Sequence, residues 1–307
     1  MTSFGCRTRR IGGVMELGSI HIHPVKAGRS IERGENVLEV WGLEGDRRWM
    51  LVDEAGRFLS QREHPPLALL DAQPDIDGLI LSYEEIGERF VPVPEGDDRL
   101  TVTVWRDTID AALADDATNS ALSQWLQRPV RLVHLDRTDA RHIDPAWAPE
   151  STDGVPPVAF ADGFPLLIAN PASLRALNGD IVRQDGDAVP MSRFRPNLVI
   201  DGAEAWAEDD WATIRVGDAV IDLVKPCARC IVTTVDQATG MISGTQPMDA
   251  MRRIRFSATP RVPGVLFGWN AVPRGPAVIR RGDPVEVLAR RGGAPVVRDG
   301  SGRGADQ

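Results

Sequence analysis

Residues 211–236 read WATIRVGDAVIDLVKPCARCIVTTVD. Two alternating runs, TIRV (213–216) and AVIDLV (219–224), flank Gly217-Asp218. A glycine at the first turn position tolerates positive φ, so the spacing predicts a β-hairpin. KPCARC (225–230) then sits between AVIDLV and IVTTVD, a β-branched run that reads as a further strand. Working outward, PNLVIDG (196–202) reads as a strand upstream. Downstream, AVIR (277–280) and PVEVL (284–288), joined by Arg281-Gly282-Asp283, read as a second hairpin.

The first half carries the same pattern. SIHIHPV (19–25), NVLEVWG (36–42), RWMLVD (48–53), RFLSQ (57–61), LILSY (79–83), RFVPV (89–93) and LTVTVW (100–105) are short runs bounded by turn residues. One helix is expected over 117–127, where Leu122, Trp125 and Leu126 share a face, with Pro129 ending it before VRLVHL (130–135). A second is expected after the strand PLLIAN (165–170), with Asn170 as N-cap, Pro171 at the first position and Gly179 closing it. The expected fold is mainly β in both halves, with a few helices and at least one of them in the first half. The polar, proline-rich stretch 137–157 holds the boundary. The expected division is a flexible arm (1–14, with Met15 a second candidate start), a first domain (15–140), a second (141–290) and a glycine-rich tail (291–307).

The chain has 307 residues, with 35 basic against 44 acidic side chains and a net charge of -9. That balance argues against a nucleic-acid partner, while leaving room for a local basic pocket. Every apolar run is broken by a charge, Pro or Gly well short of the roughly 18 residues of a membrane span, so no membrane partner is expected. With Cys6, Cys227 and Cys230 as the only cysteines, no disulfide framework is available, and a cytoplasmic location is expected. No Gly-rich phosphate loop joins a strand to a helix, which argues against the common dinucleotide and ATP fingerprints.

KPCARC is the segment with the most reactive chemistry. Thiolates favour molybdenum, zinc, copper(I) or iron-sulfur centres, and the Arg229 and Lys225 charges favour a thiolate. A zinc knuckle, a thioredoxin-like dithiol and inert thiols compete with that reading. Zinc needs two more ligands, and His21, His23, His64, His134 and His142 show no paired spacing in the other half. A redox dithiol opens a helix, whereas Cys230 leads into a β-branched run. Upstream, Arg193, Arg195 and Asn197 offer two guanidinium groups and an amide before a strand: an anion or heterocycle site, or a solvated turn. Lys26 and Arg47 stand at strand edges, and Asp162 before Gly163 is a polar site group or a turn residue. Trp206 and Trp211 read as core anchors.

Taken together, RFRPNLVIDG (193–202), AWAEDDWATIRVGD (205–218), VKPCARCIVTTVDQATG (224–240) and LFGWNAVPRGPAVIRRGDPVEVL (266–288) resemble the MOSC domain, named for the molybdenum cofactor sulfurase C-terminal domain. LGSIHIHPVKAGRS (17–30), WGLEGDRRWMLVD (41–53) and GRFLSQREHP (56–65) resemble the β-barrel domain that precedes it in proteins of the amidoxime-reducing-component type. The resemblance spans roughly residues 15 to 290, and it implies a β-barrel domain with a few helices in the second half, preceded by a β-rich domain with at least one helix. It implies a molybdenum-molybdopterin cofactor with Cys230 as metal ligand and catalytic residue, and Cys227 as its neighbour in the cofactor site. It also implies Arg195 and Asn197 near the pterin, Lys26 and Arg47 on its phosphate, and Asp162 as a catalytic pocket residue. Ala27 stands where many relatives have serine, so weaker phosphate binding is expected. The implied activity is reduction of N-hydroxylated compounds (hydroxylamines, amidoximes, hydroxylaminopurines). With no cysteine-bearing segment after residue 290, electrons are expected from a separate ferredoxin-like or reductase protein. A molybdenum cofactor carrier or sulfur-transfer protein is the alternative.

Overall fold

A computed structural model describes residues 14–83, 87–95, 98–152, 154–293 and 296–298. Cys6, most of the arm expected over 1–14 and the last residues of the tail lie outside them. The first half holds β1 (Glu16–Ile22), β2 (Ile31–Arg33), β3 (Glu35–Glu39), β4 (Gly42–Leu43), β5 (Trp49–Val52), β6 (Asp71–Asp75), β7 (Gly78–Tyr83), β8 (Gly87–Pro92), β9 (Arg99–Val104), β10 (Asp107–Leu113), α1 (Asp116–Leu126) and β11 (Arg131–His134). The second holds β12 (Leu166–Ala169), α2 (Pro171–Val182), β13 (Leu198–Asp201), β14 (Trp211–Val216), β15 (Ala219–Arg229), β16 (Val235–Asp236), β17 (Met241–Ile242), α3 (Met248–Ile254), β18 (Val265–Pro273), β19 (Ala277–Arg280) and β20 (Val285–Arg290). The mainly β expectation holds. Among the described residues no helix is long and apolar enough to cross a membrane.

The largest sheet has eight strands in the order β2-β1-β13-β12-β18-β15-β14-β20. β1 thus pairs antiparallel with β13, Ile20 facing Leu198. Leu17, Ile20 and Ile22 share one buried core with Ile168, Ile200, Trp211, Ile214 and Trp269. The start of the chain is thereby tied into the sheet that carries KPCARC. A second sheet, β5-β11-β10-β9, closes a separate core around Leu51, Leu132 and Trp125 with α1. Asp115 caps α1 by accepting from Thr118 N at 2.8 Å, satisfying one of the helix's free amides.

The hairpin read at Gly217-Asp218 is present: Val216 faces Ala219 and Gly217 has φ +54°. AVIR and PVEVL, in contrast, form no hairpin with each other. β19 pairs with β3 and β20 with β14, because the intervening turn binds β1. Leu17 N donates to Asp283 O and Gly282 N to Leu17 O, so β1 takes the hydrogen bonds that a hairpin partner would take. IVTTVD is also not a strand throughout. Residues 231–234 form a 3-10 turn in which Thr233 and Thr234 donate their hydroxyls to the carbonyls of Cys230 and Ile231. Threonine's local hydrogen bonding outcompetes its strand preference there. RFLSQ is reduced to two isolated bridges, Arg57 to Thr103 and Phe58 to Val52, since Asp53 folds the preceding turn by accepting from Ala55 N and Arg57 N. α2 starts at the expected Asn170 cap but passes through Gly179 to Val182, because Ile181 is buried one turn beyond Leu177. Trp211 is a core anchor as read; Trp206 packs edge-on to Phe267 with the Arg255 guanidinium 4.1 Å from its ring. In the stretch read as tail, Arg291 donates to Trp211 O and Leu223 O, and Val297 bridges Ser257.

Candidate functional site

β15 is unusual in carrying Pro226 inside a strand. Its pairing with β14 ends at Asp222, while β18 follows it from Ile221 to Arg229 with irregularities on both sides of Pro226. One edge of KPCAR is therefore free of the ladder, where a residue without an N–H costs nothing. The open edge faces a cavity of about 390 Å³, lined from the first half by Lys26, Arg47, Phe58, Gln61, Arg62 and Trp105. From the second half come Asp162, Arg195, Asn197, Lys225 and the segment from Cys227 through Cys230. That volume is within the range of small-molecule sites. Seven residues singled out from the sequence (Lys26, Arg47, Asp162, Arg195, Asn197, Cys227 and Cys230) converge on this one cavity.

The floor is cationic. Arg47, in a left-handed conformation (φ +50°), places Nη1 2.5 Å from Asp46 Oδ2 and 3.2 Å from Asn197 Oδ1. Burial opposes ionisation of Asp46, but the Arg47 charge and the bonds from His23 pull it down to about 2. Arg195 is also left-handed (φ +53°) and ends the 3-10 turn Met191–Phe194. It donates Nη1 to Gln237 Oε1 at 3.0 Å, while its buried Nη2 has no hydrogen-bond partner among the described residues. Desolvation first, and then the Arg47 charge, bring Arg195 down to about 9. His23, wholly buried behind this pair, is held well below its usual range by desolvation and by Arg47 and Arg195. It is neutral at pH 7.

Lys26 is buried and donates Nζ to Phe160 O at 2.8 Å and to Asp162 Oδ1 at 2.5 Å. Desolvation lowers its pKa and Asp162 opposes that shift. The Asp162 side chain is 75% exposed. Partial enclosure works against its ionisation, but Lys26 and the Trp105 indole N–H, 3.2 Å away, hold it below the usual carboxylate range. Asp162 is thus an ionised acceptor engaged with Lys26. A glutamine pair joins the halves: Gln61 Nε2 donates to Ala27 O at 2.6 Å, and Gln237 Nε2 donates to Gln61 Oε1 at 2.8 Å.

Asn197 spends its amide on the protein. Nδ2 donates to His21 O at 3.1 Å, and Oδ1 accepts from Leu167 N at 3.1 Å besides Arg47. It positions Arg47 at the junction of β1, β12 and β13. Arg193 points away from the cavity, donating to Thr234 O at 2.5 Å and pairing with Asp236 at 3.0 Å. It thereby holds the turn that follows Cys230. Cys230 ends the extended run, and Cys227 Sγ lies 3.0 Å from Arg229 Nη1. Two extended residues lie between the cysteines, so three residue steps put their Cα atoms roughly 10 Å apart, beyond disulfide reach. Among the described residues no group of three or more His, Cys, Asp or Glu side chains lies together as a metal cluster.

Residues 14–129 match the MOSC N-terminal beta barrel domain and residues 156–286 match the MOSC domain. The chain belongs to the MOSC family. Among relatives of this MOSC protein, mitochondrial amidoxime-reducing component 1 of Homo sapiens is 29% identical over 303 residues, covering 92% of this chain and 86% of that protein. The Xenopus laevis protein of the same name is 29% identical over 283 residues, with 88% and 81% covered. Mitochondrial amidoxime reducing component 2 of Rattus norvegicus is 28% identical over 292 residues, with 91% and 85% covered. The MOSC motif residues were readable in the sequence. Gln61, Trp105, Arg62 and Gln237 were not singled out as site residues, because nothing local marks a glutamine or a hairpin tryptophan for a cavity whose other walls come from separate segments, 34 to 176 residues away in the contacts they make.

Proposed function

We propose that this MOSC protein is a molybdopterin-dependent oxidoreductase that reduces N-hydroxylated compounds, taking electrons from a separate donor protein. One observation carries the reading: in a protein of net charge -9, Lys26, Arg47 and Arg195 meet two thiols in one cavity, and the Arg195 Nη2 is buried without a partner among the described residues. An unpaired buried guanidinium N–H costs energy that an anionic oxygen would relieve, so the residues fit a phosphate-bearing group. A thiolate beside these cations fits a soft metal ion. The family names support the reductive part of the reading, since the relatives are named for amidoxime reduction.

In this reading Lys26, Arg47 and Arg195 hold the cofactor's phosphate, and Cys230 supplies the metal's thiolate. When bound, the cofactor supplies two-electron removal of oxygen from nitrogen. Asp46 and Asn197 fix Arg47, and Gln237 fixes Arg195. Asp162 holds Lys26 in place and keeps its ammonium charged. Cys227, beside Arg229, is the neighbour of the metal ligand. Protein purified from a molybdopterin-producing host, supplied with an artificial reductant and benzamidoxime, is expected to form benzamidine, detected chromatographically. Full molybdenum occupancy with benzamidoxime, N-hydroxylated purines and simple hydroxylamines all untouched contradicts the proposal.

A further inference from the structure

Several cations line the cavity, and most are engaged: Arg229 donates to Cys227 Sγ and Phe194 O, and Arg62 lies 4.8 Å from the centre of the Trp105 ring. Lys26 and Arg47 are backed by Asp162 and Asp46, and Arg195 by Gln237. Lys225 and Arg261 are different. Lys225 Nζ lies 5.1 Å from the centre of the Trp147 ring and 5.7 Å from that of Phe164, and the Arg261 guanidinium lies 4.3 Å from Trp147. Both line the same cavity. Neither forms an ion pair among the described residues: nearby Asp144 faces Arg106, and Asp222 is held by Arg274, Thr213 and Ser151.

Two like charges on one indole repel each other, and the ring's quadrupole offsets only part of that cost. An anionic group within reach of both offsets it. Arg261 commits Nη2 to Ala146 O at 3.3 Å, which leaves other guanidinium N–H groups for a ligand. Position decides what that ligand is. Lys26 and Arg195 Nη2 are buried, as suits a resident group, whereas Arg261 is exposed at the rim, as suits one that exchanges with solvent.

We propose that Lys225 and Arg261, braced by Trp147, form a subsite for an anionic group, carboxylate or phosphate, carried by the substrate. The inference rests on the reductase reading for the reaction, but its binding arm stands alone. The test compares benzamidoxime with 4-carboxybenzamidoxime on the full-length, molybdenum-loaded protein, and measures binding of the carboxylate by calorimetry. The parent is expected to favour the carboxylate roughly tenfold in kcat/KM at low salt, in keeping with a charged hydrogen bond, and to lose the preference as salt rises. Lys225→Gln with Arg261→Gln brings the ratio to about one, weakens carboxylate binding by a similar factor and leaves molybdenum content as in the parent. A parent without preference, or variants that keep it, overturns the proposal. So do variants that lose molybdenum, since the anion served would then be the cofactor's. If neither compound is reduced yet the variants lose carboxylate binding, the subsite stands and the reductase reading falls.

Discussion

Arg47 Nη1 and Asn197 Oδ1 are 3.2 Å apart across 150 residues of sequence, and this contact joins the two halves at the floor of the cavity. The same oxygen accepts from Leu167 N, and the amide donates to His21 O. A single side chain, 1% exposed, thereby ties β1 and β12 to the cationic floor.

Asn197→Ala should therefore act on stability and binding together. Leaving Leu167 N and His21 O buried without partners costs about 2–4 kcal/mol, read as a lower urea midpoint. Molybdenum retention should fall as well, because Arg47 loses its second anchor. A variant with parental stability and full metal would separate Asn197 from the site.

Acid should destabilise the protein well before its carboxylates titrate. His134 is 8% exposed, and desolvation, followed by the Arg48 charge, lowers it to about 4. A depressed folded-state pKa gives stability that is present above the unfolded value near 6.5 and lost as pH falls toward 4. Between pH 7 and pH 5, His134 alone accounts for about 2 kcal/mol of that loss, and buried His23 acts in the same direction. Urea titrations across this range should show the decline, and His134→Gln should flatten it. An equal slope in the variant would show that His134 is not its source.

Asp162 competes with any phosphate for Lys26, since its carboxylate already lies 2.5 Å from Nζ. Asp162→Asn should tighten binding of pyrophosphate several-fold near pH 7, as removal of a like charge beside an anion site does. Binding should weaken more steeply at alkaline pH, where Lys26 no longer has the carboxylate to hold its proton. Calorimetry across pH reads both effects; weaker binding at pH 7 would mean that Asp162 supports the anion site rather than opposing it.

Thr233→Val keeps the shape but removes the hydroxyl that donates to Cys230 O at 3.0 Å in the turn behind the thiol. The expected cost is about 1 kcal/mol of stability, with faster molybdenum loss on dialysis. Parental retention would show that the turn holds without that bond.

Sequence made the chemistry legible where residues lie close together. Lys225 through Cys230 was read as the reactive segment, and the cavity does open along it. The two arginines before β13 show the limit of such reading. Arg193 and Arg195 are chemically equivalent and two residues apart, yet one turns inward to Asp236 and the other enters the cavity. Only the left-handed backbone at Arg195 separates them, and no local pattern announces it. The missed hairpin has a similar cause. AVIR and PVEVL have the right alternation and turn, but β1, some 260 residues earlier, takes the bonds of the turn between them. Gln61 and Gln237 were unreadable for the same reason: their pairing spans 176 residues.

Molybdenum per chain, measured by elemental analysis on protein from a molybdopterin-producing host, tests the central claim most directly when wild type is set beside Cys230→Ala and Cys227→Ala. Near-stoichiometric metal in wild type and Cys227→Ala, lost in Cys230→Ala, is the predicted result. Metal that is scarce in all three, or indifferent to Cys230, would contradict the assignment of this cavity as a molybdenum site.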